Sequence, residues 1–262
     1  MISFAHIVNP VIVPQHSDLF FAQPITFETM RRAREAARSE DSVALLSAQF
    51  PEDRPLVPDD FKATPDLTRS ALDLGQFEVP RKLPLLKDIL DRLYENAPEA
   101  DFLIYTNVDI ALMPNFYSAV GHFIDEGLDA LVINRRTIPV EYQDLVGGQA
   151  GRRILSIEET PFMYAHAGKP HSGYDCFVFR REVYPQFQLG DIFIGAPHVG
   201  KVLKVNLLCN AESYKRFKNL HLTFHLGADQ GWRSDKYDDY AKQNLAEFEQ
   251  ILAYYEPCLS SF

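Results

Sequence analysis

The chain has 262 residues, of which 46% are hydrophobic and 24% are charged, and this is enough apolar material to form the core of one large domain. Its formal net charge of −10 repels nucleic-acid phosphates and anionic membranes, so we exclude both as main partners. The start of the chain lacks a basic segment and contains Pro10 and Pro14, which argues against a signal peptide or a spanning helix. Cys176, Cys209 and Cys258 form no CxxC pair, so we expect reduced thiols in a cytoplasmic protein.

Strand-like and helix-like segments alternate along the first half of the chain. A β-branched run at 7–13 and the run SVALLSAQF at 42–50 predict strands, and a helix that begins near Pro24 lies between them. Residues 51–80 are rich in Pro and Asp and predict a loop with one short helix. The segment KLPLLKDILDRLYENAP predicts a helix, because its large apolar residues recur on one face and Pro98 lies beyond its end.

The second half continues this alternation. The predicted elements are a strand in 101–114, a helix at 115–126, a strand at 128–136, a strand in 174–184 that runs into a helix or turn, a helix at 196–209 and a C-terminal helix at about 239–256. The apolar face of the C-terminal helix packs on the domain, supports a homodimer or touches a membrane, and its acidic polar face makes the membrane the least favoured of the three. The order of elements predicts an α/β fold, with a mostly parallel central sheet flanked by helices in a single domain over 1–262.

The strand in DFLIYTNVDIALMP ends in two polar residues. Ligands of open α/β sheets bind outside the carboxyl ends of strands, and the period of two puts Asn107 on the same side as Asp109. A carboxylate beside an amide oxygen suits a hard divalent cation that bridges to a substrate diphosphate. The alternative is that Asp109 caps the following turn and Asn107 makes an ordinary turn bond. This stretch alone leaves both readings open.

A second polar pattern occurs in NLHLTFHLGADQGW. Apolar residues alternate there with His221, Thr223 and His225, so the two histidines share one face of a predicted strand. A lone histidine is more often structural, yet a neutral imidazole at a strand end is also a good ligand for transition metals. Together with Asp109, His225 would form a mixed nitrogen and oxygen site that favours Mn²⁺ over Ca²⁺.

The sequence LIYTNVDIALMPNFYSAV resembles the D-x-D strand of GT-A-fold glycosyltransferases, in particular the glycogenin and bacterial galactosyltransferase group. HLGADQGW resembles the late H-x-G-x-x-K-P-W segment of that group, whose His binds the metal, and IVNPV is similar to its first strand, which lies against the base. The resemblance implies a GT-A-like domain and a Mn²⁺ or Mg²⁺ ion on Asp109 and His225. It also implies a UDP- or GDP-linked sugar donor and a glycan or small-molecule acceptor. The donor contacts that it implies are Asn9, Arg81, Lys82 and Asn107.

The sequence departs from the family pattern in three places. Asn107 replaces the first Asp of D-x-D, and Gln230 and Gly231 precede Trp232 without the Lys of the late motif. The segment IGAPHVGKVL offers only His198 where inverting members carry an acidic base. The sequence therefore leans toward a retaining mechanism.

Three further residues are candidates because a departing nucleoside diphosphate gains negative charge, which a metal and nearby cations stabilise. Asp175, in HSGYDCFVF, is the candidate catalytic residue, for holding sugar hydroxyls or stabilising the anomeric centre; a turn bond is its alternative role. Arg135 is a donor-binding candidate or a solvated residue at a strand end. Trp232 either stacks on a sugar or fills the interior.

These patterns predict a metal-dependent glycosyltransferase of the hexosyltransferase type. One alternative is a non-catalytic nucleotide- or sugar-binding scaffold of the same fold, which Asn107 favours. Another is a nucleotidyltransferase, although no Gly-rich phosphate loop of the Walker type is present.

Overall fold

A mixed β-sheet forms the centre of the structure, which is a computed structural model that describes residues 1–137, 156–226 and 235–260. The strands follow the order β3-β2-β1-β4-β7-β6-β9-β5, and β8 pairs with β6 outside this path. The strands are β1 (Ser3–Val8), β2 (Ser42–Ser47), β3 (Lys62–Ala63), β4 (Phe102–Thr106), β5 (Ile110–Leu112), β6 (Ala130–Thr137), β7 (Lys169–Arg180), β8 (Tyr214–Phe217) and β9 (Thr223–His225). The α-helices are α1 (Asp18–Glu35), α2 (Leu86–Asn96), α3 (Phe116–Asp125), α4 (Thr160–Ala165), α5 (Val199–Asn210) and α6 (Asp238–Leu259).

The strand directions confirm the predicted α/β class. β1 pairs in parallel with β2 and with β4, because α1 and α2 lie in the connections that return the chain to the same edge of the sheet. β7 is antiparallel to both β4 and β6, and β5 is antiparallel to β9. Five of the eight pairings within the described residues are parallel, so the sheet is mostly parallel, as predicted.

An apolar layer lies on each face of the sheet. Helices α2, α5 and α6 pack in one layer, and helices α1 and α3 pack in the other. The predicted face of α2 is confirmed, since its fully buried residues are Leu86, Ile89, Leu90 and Leu93. Each such side chain stabilises the fold by roughly 1.5–3 kcal/mol. The C-terminal helix α6 packs on the domain through Phe248, Ile251 and Tyr255.

Several predicted boundaries are wrong for identifiable reasons. The first strand ends at Val8 because Pro10 has no N–H for a ladder bond. It begins at Ser3, before the predicted start, and includes His6, a polar residue that is fully buried. Helix α1 begins at Asp18, so Pro24 lies inside the helix rather than in its first turn, at the loss of one backbone bond.

The prediction that all three cysteines are reduced is wrong. Cys209 at the end of α5 and Cys258 at the end of α6 form a disulfide, whereas Cys176 is free and buried. The two helices pack together and bring the paired Cα atoms to 5.9 Å although 49 positions separate them in the chain. Disulfides persist in oxidising compartments, so the cysteines no longer support the predicted cytoplasmic location. Within the described ranges, no helix is both long and apolar enough to cross a bilayer.

Candidate functional site

The pairing of β5 with β9 brings Asp109 and His225 together. Asp109 lies in the turn between β4 and β5, just before Ile110, which is opposite His225 in the antiparallel pair. The backbone N–H of Leu226 donates to the Asp109 carbonyl at 2.8 Å. Asp109 Oδ2 lies 3.1 Å from His225 Nε2, and the two side chains are 22% and 14% exposed. The two predicted metal ligands are therefore neighbours at the point where β5 pairs with β9.

Asp175 reaches the same region through an irregularity in β7. Ile133 of β6 is opposite Cys176, but the next residue, Asn134, is opposite Tyr174. Asp175 is therefore the extra residue of a β-bulge, which changes the direction in which a side chain points. Simple alternation along the strand does not predict this placement.

Asp175 is held by two partners from neighbouring strands. Its Oδ1 accepts hydrogen bonds from Asn107 Nδ2 at 3.3 Å and from Arg135 Nη1 at 3.2 Å. Its side chain is only 9% exposed, so the ion pair with Arg135 is shielded from water. Arg135 Nε also donates to His171 Nδ1 at 3.2 Å. His171 Nδ1 accepts a second hydrogen bond, from the Gly173 N–H, at 2.9 Å. His171 Nδ1 is thus an acceptor, which places the ring proton of the neutral form on Nε2.

Two buried carboxylate oxygens in this region have no hydrogen-bond partner within the described residues: Asp109 Oδ1 and Asp175 Oδ2. Leaving a buried acceptor without a partner costs about 1–3 kcal/mol, and more when the acceptor is charged. Native proteins therefore pair nearly all such atoms with protein, water or ligand. The two oxygens mark the places where a cation or a hydroxyl group would complete the site.

The carboxylates influence one another and their surroundings. Burial raises the pKa of Asp175, the Arg135 guanidinium opposes this rise, and the charge of Asp109 adds to it. Burial also raises the pKa of the Tyr105 hydroxyl, and the charges of both carboxylates raise it further. That hydroxyl stays protonated and donates to Asn107 Oδ1 at 3.0 Å. Two close carboxylates with one arginine leave room for a further positive charge.

The residues present fit a divalent cation only in part. Within the described residues, no three His, Cys, Asp or Glu side chains surround a common point. Asp109 and His225 offer one carboxylate and one imidazole, a donor pair that suits Mn²⁺ and, less well, Mg²⁺. The other ligands would have to be diphosphate oxygens and water, as is usual for cations that bridge to a substrate phosphate.

Arg81 and Lys82 contact other parts of the structure. Lys82 Nζ pairs with Glu52 at 2.6 Å and lies 4.1 Å from the centroid of the Phe50 ring, past the end of β2. The Arg81 guanidinium lies 4.7 Å from the ring centroid of Tyr237, next to α6. No contact between described residues joins either cation to Asp109.

Asn9 and Arg136 serve the fold in this structure. Asn9 follows β1, and its Nδ2 donates to the Ala48 carbonyl at 2.6 Å, which ties the ends of β1 and β2 together. Arg136 points away from Arg135 and binds the carbonyls of Ala167 and Gly168 and the side chain of Asn219. Arg135 is thus the member of the pair that faces Asp175.

The structure describes two of the remaining candidate residues, His221 and His198. His221 precedes β9 and packs edge-on against the Phe224 ring, so it does not share the strand with His225. His198 adopts a left-handed backbone conformation (φ 79°) at the start of α5, and its ring stacks on Phe248. Trp232 lies outside the described residues, as do Gln230 and Gly231.

The sequence patterns missed the residues that support Asp175, namely Tyr105, His171 and Gly173. The run HSGYD carried a signal, because polar residues and a glycine interrupt the start of an otherwise apolar strand. Gly173 is required there, since a Cβ at this position would lie 2.8 Å from Asp175 Oδ2. The glycine thus leaves space at the unpartnered oxygen.

No model of a known protein family matches the chain, and no curated protein matches it in sequence. Solved structures do match it. TarS 1-349 of S. aureus in complex with UDP-GlcNAc has a TM-score of 0.53 at 11% identity, over 96% of this chain and 66% of that one. GalNAc-T7 with UDP, GalNAc and Mn²⁺ has a TM-score of 0.52 at 12% identity, over 96% of this chain and 48% of that one.

Both structures are GT-A glycosyltransferases. The chain has the GT-A fold. It spans about half of one matched structure and just under two thirds of the other, and at such low identity the likeness shows the fold alone. The GT-A fold that the motifs predicted is therefore confirmed. The particular likeness to the glycogenin group stays a prediction.

Proposed function

We propose that the protein is a glycosyltransferase that takes a sugar from a nucleotide-diphosphate donor with the help of a divalent cation. The observation that carries this proposal is the meeting of Asp109, His225 and Asp175 at the carboxyl end of β4, with one unpartnered oxygen on each carboxylate. Two structures with this fold support it, since their names record UDP-GlcNAc in TarS and UDP, GalNAc and Mn²⁺ in GalNAc-T7.

In this proposal Asp109 and His225 would hold Mn²⁺ or Mg²⁺. The cation would neutralise charge on the leaving nucleoside diphosphate. Asp109 suits this role because its Oδ2 faces the imidazole while its Oδ1 has no partner among the described residues. The imidazole is fixed by the pairing of Ile110 with His225, so the two ligands are pre-arranged by backbone bonds.

Asp175 would contact the transferred sugar. Arg135 and Asn107 both donate to its Oδ1, which leaves Oδ2 to accept a sugar hydroxyl or to face positive charge at the anomeric carbon. Burial raises the pKa of Asp175, and the Arg135 guanidinium opposes this rise by favouring the ionised carboxylate. We propose further that the reaction retains the configuration at the anomeric carbon and that the transferred sugar is a hexose.

Further donor contacts are proposed for Asn9, Arg81, Lys82 and Trp232. Lys82 and Asn9 lie at the carboxyl ends of β2 and β1, where open α/β sheets bind nucleotides. The donor would be UDP- or GDP-linked, the acceptor a glycan or a small molecule. A homodimer and a cytoplasmic location remain part of the hypothesis.

A non-catalytic scaffold that binds nucleotide or sugar is the second candidate. The observation that favours it is the internal bonding of Asn107, which accepts from Tyr105 and donates to Asp175. An amide with both groups so engaged is a poor replacement for the first carboxylate of D-x-D. This candidate predicts nucleotide binding without turnover.

Calorimetry with UDP and GDP, each with and without Mn²⁺, tests the proposal, followed by hydrolysis assays with UDP- and GDP-sugars. We expect one nucleotide to bind more tightly with Mn²⁺ and its sugar to be released into water. Absence of nucleotide binding under every metal condition would refute the transferase. Binding without release of any sugar would favour the scaffold.

A further inference from the structure

The lysines and arginines of the chain differ by region in whether they form ion pairs with carboxylates. Nine of the eleven lysines and arginines between residues 31 and 92 form ion pairs with carboxylates. Residues 199–218, which cover α5 and β8, carry five cations and a single carboxylate, Glu212. No carboxylate of the described residues pairs with any of these five. In a chain with a net charge of −10, no carboxylate of the described residues thus neutralises the positive charge of this segment.

Two of these cations converge on Tyr174. Arg216 Nη1 donates to the Tyr174 hydroxyl at 2.8 Å, and Lys204 Nζ lies 5.5 Å from the centroid of its ring. All three residues are half-buried, so the charged ends of Lys204 and Arg216 remain within reach of a ligand. The buried Tyr214 hydroxyl lies in the same group without a hydrogen-bond partner among the described residues. Burial raises its pKa to about 12, so at neutral pH it remains a donor.

This cationic cluster of Lys204, Arg216 and Tyr174 adjoins the candidate catalytic residue. Tyr174 and Asp175 are consecutive at the bulge of β7. Helix α5 is pressed against them, since a Cβ at Gly200 would lie 2.8 Å from the Tyr174 carbonyl oxygen. A molecule held by the cluster would therefore present its neighbouring groups to the region around Asp175.

The side-chain chemistry favours an oxyanion. The bond from Arg216 to Tyr174 uses one of the five N–H donors of the guanidinium, and no other described residue is bonded to the rest, which suit a planar or tetrahedral oxyanion. Lys204 adds a second positive charge with three donors. Charge-assisted bonds of this kind are the strong ones in phosphate recognition.

We propose that Lys204 and Arg216 bind a phosphate group carried by the acceptor and so position the acceptor hydroxyl near Asp175. This inference rests on the proposed transferase function and adds the chemical class of its acceptor. The phosphate belongs either to a small sugar phosphate or to a lipid headgroup, and the two sources are separable by experiment.

The test compares glucose 6-phosphate with glucose in calorimetry on the full chain. The wild-type protein should bind the phosphate compound at least about tenfold more tightly, since one charge-assisted bond is worth about a factor of ten. The double variant Lys204→Gln, Arg216→Gln should lose this preference. The variant Arg216→Lys should keep most of it, because the charge is retained.

A matched control removes the same amount of charge from the same segment. Lys215 lies on the opposite face of β8 from Arg216, and Lys218 follows the strand. The double variant Lys215→Gln, Lys218→Gln should bind glucose 6-phosphate within about twofold of wild type, as expected for exposed charges away from the site. Equal losses in both double variants would overturn the site in favour of a general charge effect.

Sedimentation with phosphatidylglycerol vesicles, and with phosphatidylcholine vesicles as the reference, identifies the source of the phosphate. Binding to phosphatidylglycerol that disappears in Lys204→Gln, Arg216→Gln would assign a lipid headgroup and support the cluster. Failure of both glucose 6-phosphate and phosphatidylglycerol to bind better than their references would overturn the inference.

Nucleotide binding is measured on the same variants, so the two proposals fail separately. UDP affinity in Mn²⁺ should be unchanged in Lys204→Gln, Arg216→Gln, which would place the cluster outside the donor site. An equal loss of UDP and glucose 6-phosphate would overturn the acceptor assignment. Phosphate binding that depends on the cluster in a protein with no nucleotide affinity would retain the anion site, while the transferase would fall.

Discussion

Two groups of buried polar residues adjoin β4, and they differ in how completely their hydrogen bonds are satisfied. On one face, His6 Nδ1 bonds the Tyr117 hydroxyl and His6 Nε2 bonds the Thr106 hydroxyl, each at 2.9 Å. At the carboxyl end of the strand, Asp109 and Asp175 each keep an oxygen without a partner among the described residues. In the first group, both ring nitrogens of His6 thus have hydrogen-bond partners inside the core. The second group keeps buried acceptors that no described residue satisfies.

Burial of polar groups is thus not by itself a functional signal. Burial lowers the pKa of His6 to about 3, so the ring is neutral and its two nitrogens act as one donor and one acceptor. No charge remains to be compensated there. The carboxylates at Asp109 and Asp175 keep an excess of negative charge beside one arginine and one histidine. Substitutions in the two groups should therefore affect different properties of the protein.

The largest effect is expected for Asp175→Asn. The substitution keeps the shape but removes the charge that would face the anomeric centre, so transfer should fall by about 10²- to 10³-fold. The melting temperature should be unchanged or higher, because a buried charge has been removed. Steady-state turnover and thermal melting measure the two effects.

Asp129→Asn is the matched control, since Asp129 accepts the backbone N–H groups of Glu212 and Ser213 and both of its oxygens are engaged. There we expect a loss of about 1–2 kcal/mol in stability with turnover unaltered. The same turnover in Asp175→Asn as in wild type would end its assignment as the catalytic residue.

In the satisfied group, His6→Leu should cost stability rather than activity. The Tyr117 and Thr106 hydroxyls would both lose a buried partner, which costs about 1–3 kcal/mol for each group. Denaturant unfolding measures the change in the free energy of unfolding. UDP affinity in Mn²⁺, measured well below the melting temperature, should match that of wild type; a large loss of affinity would mean that this group also serves the site.

The pH dependence of stability should carry the signature of His6. Its folded pKa of about 3 is below the unfolded value of 6.5, so the unfolded chain binds the extra proton between these limits. The free energy of unfolding should therefore fall as pH falls from about 6.5 toward 3, by up to about 1.4 kcal/mol per pH unit from this residue. His6→Leu should have a flatter profile than wild type in that window, and identical slopes would contradict a buried neutral ring.

The smallest effect is expected for Asn107→Asp, which restores D-x-D. The new carboxylate loses the donor that Asn107 gives to Asp175 and adds like charge, so stability without metal should fall by about 1 kcal/mol. Mn²⁺ should raise the melting temperature of this variant more than that of wild type, because a third ligand, and a second anionic one, is available. An equal response to Mn²⁺ in both proteins would show that position 107 lies outside the cation site.

The parts of the fold that sequence predicted are those in which one element carries its own pattern. The leucines and isoleucine of α2 repeat at helical spacing, and all of them are buried as expected. The antiparallel course of β7 was not predictable in this way, because strand direction depends on connections and leaves no trace in an apolar run. The disulfide between Cys209 and Cys258 depends on the packing of α5 against α6, which spacing along the chain does not reveal.

The candidate site shows the same limit. The positions of Asp109 and His225 at strand ends follow from local patterns, and their closeness follows once β5 pairs with β9. The orientation of Asp175 depends on a bulge that a period of two cannot predict. The sequence does not single out the cations of α5 and β8, because whether a cation has an ion-pair partner is a property of the folded chain.

The most direct test of the account is the Mn²⁺-dependent affinity for UDP in Asp109→Asn and His225→Ala, measured by calorimetry beside His122→Ala. His122 forms an exposed pair with Glu126 on α3, so it controls for the loss of an imidazole near a carboxylate. We predict that both site variants keep their melting temperatures but lose about tenfold or more in the affinity that Mn²⁺ adds, whereas His122→Ala behaves as wild type. Folded Asp109→Asn and His225→Ala proteins with wild-type affinity in Mn²⁺ would contradict the central claim that these two residues form one cation site.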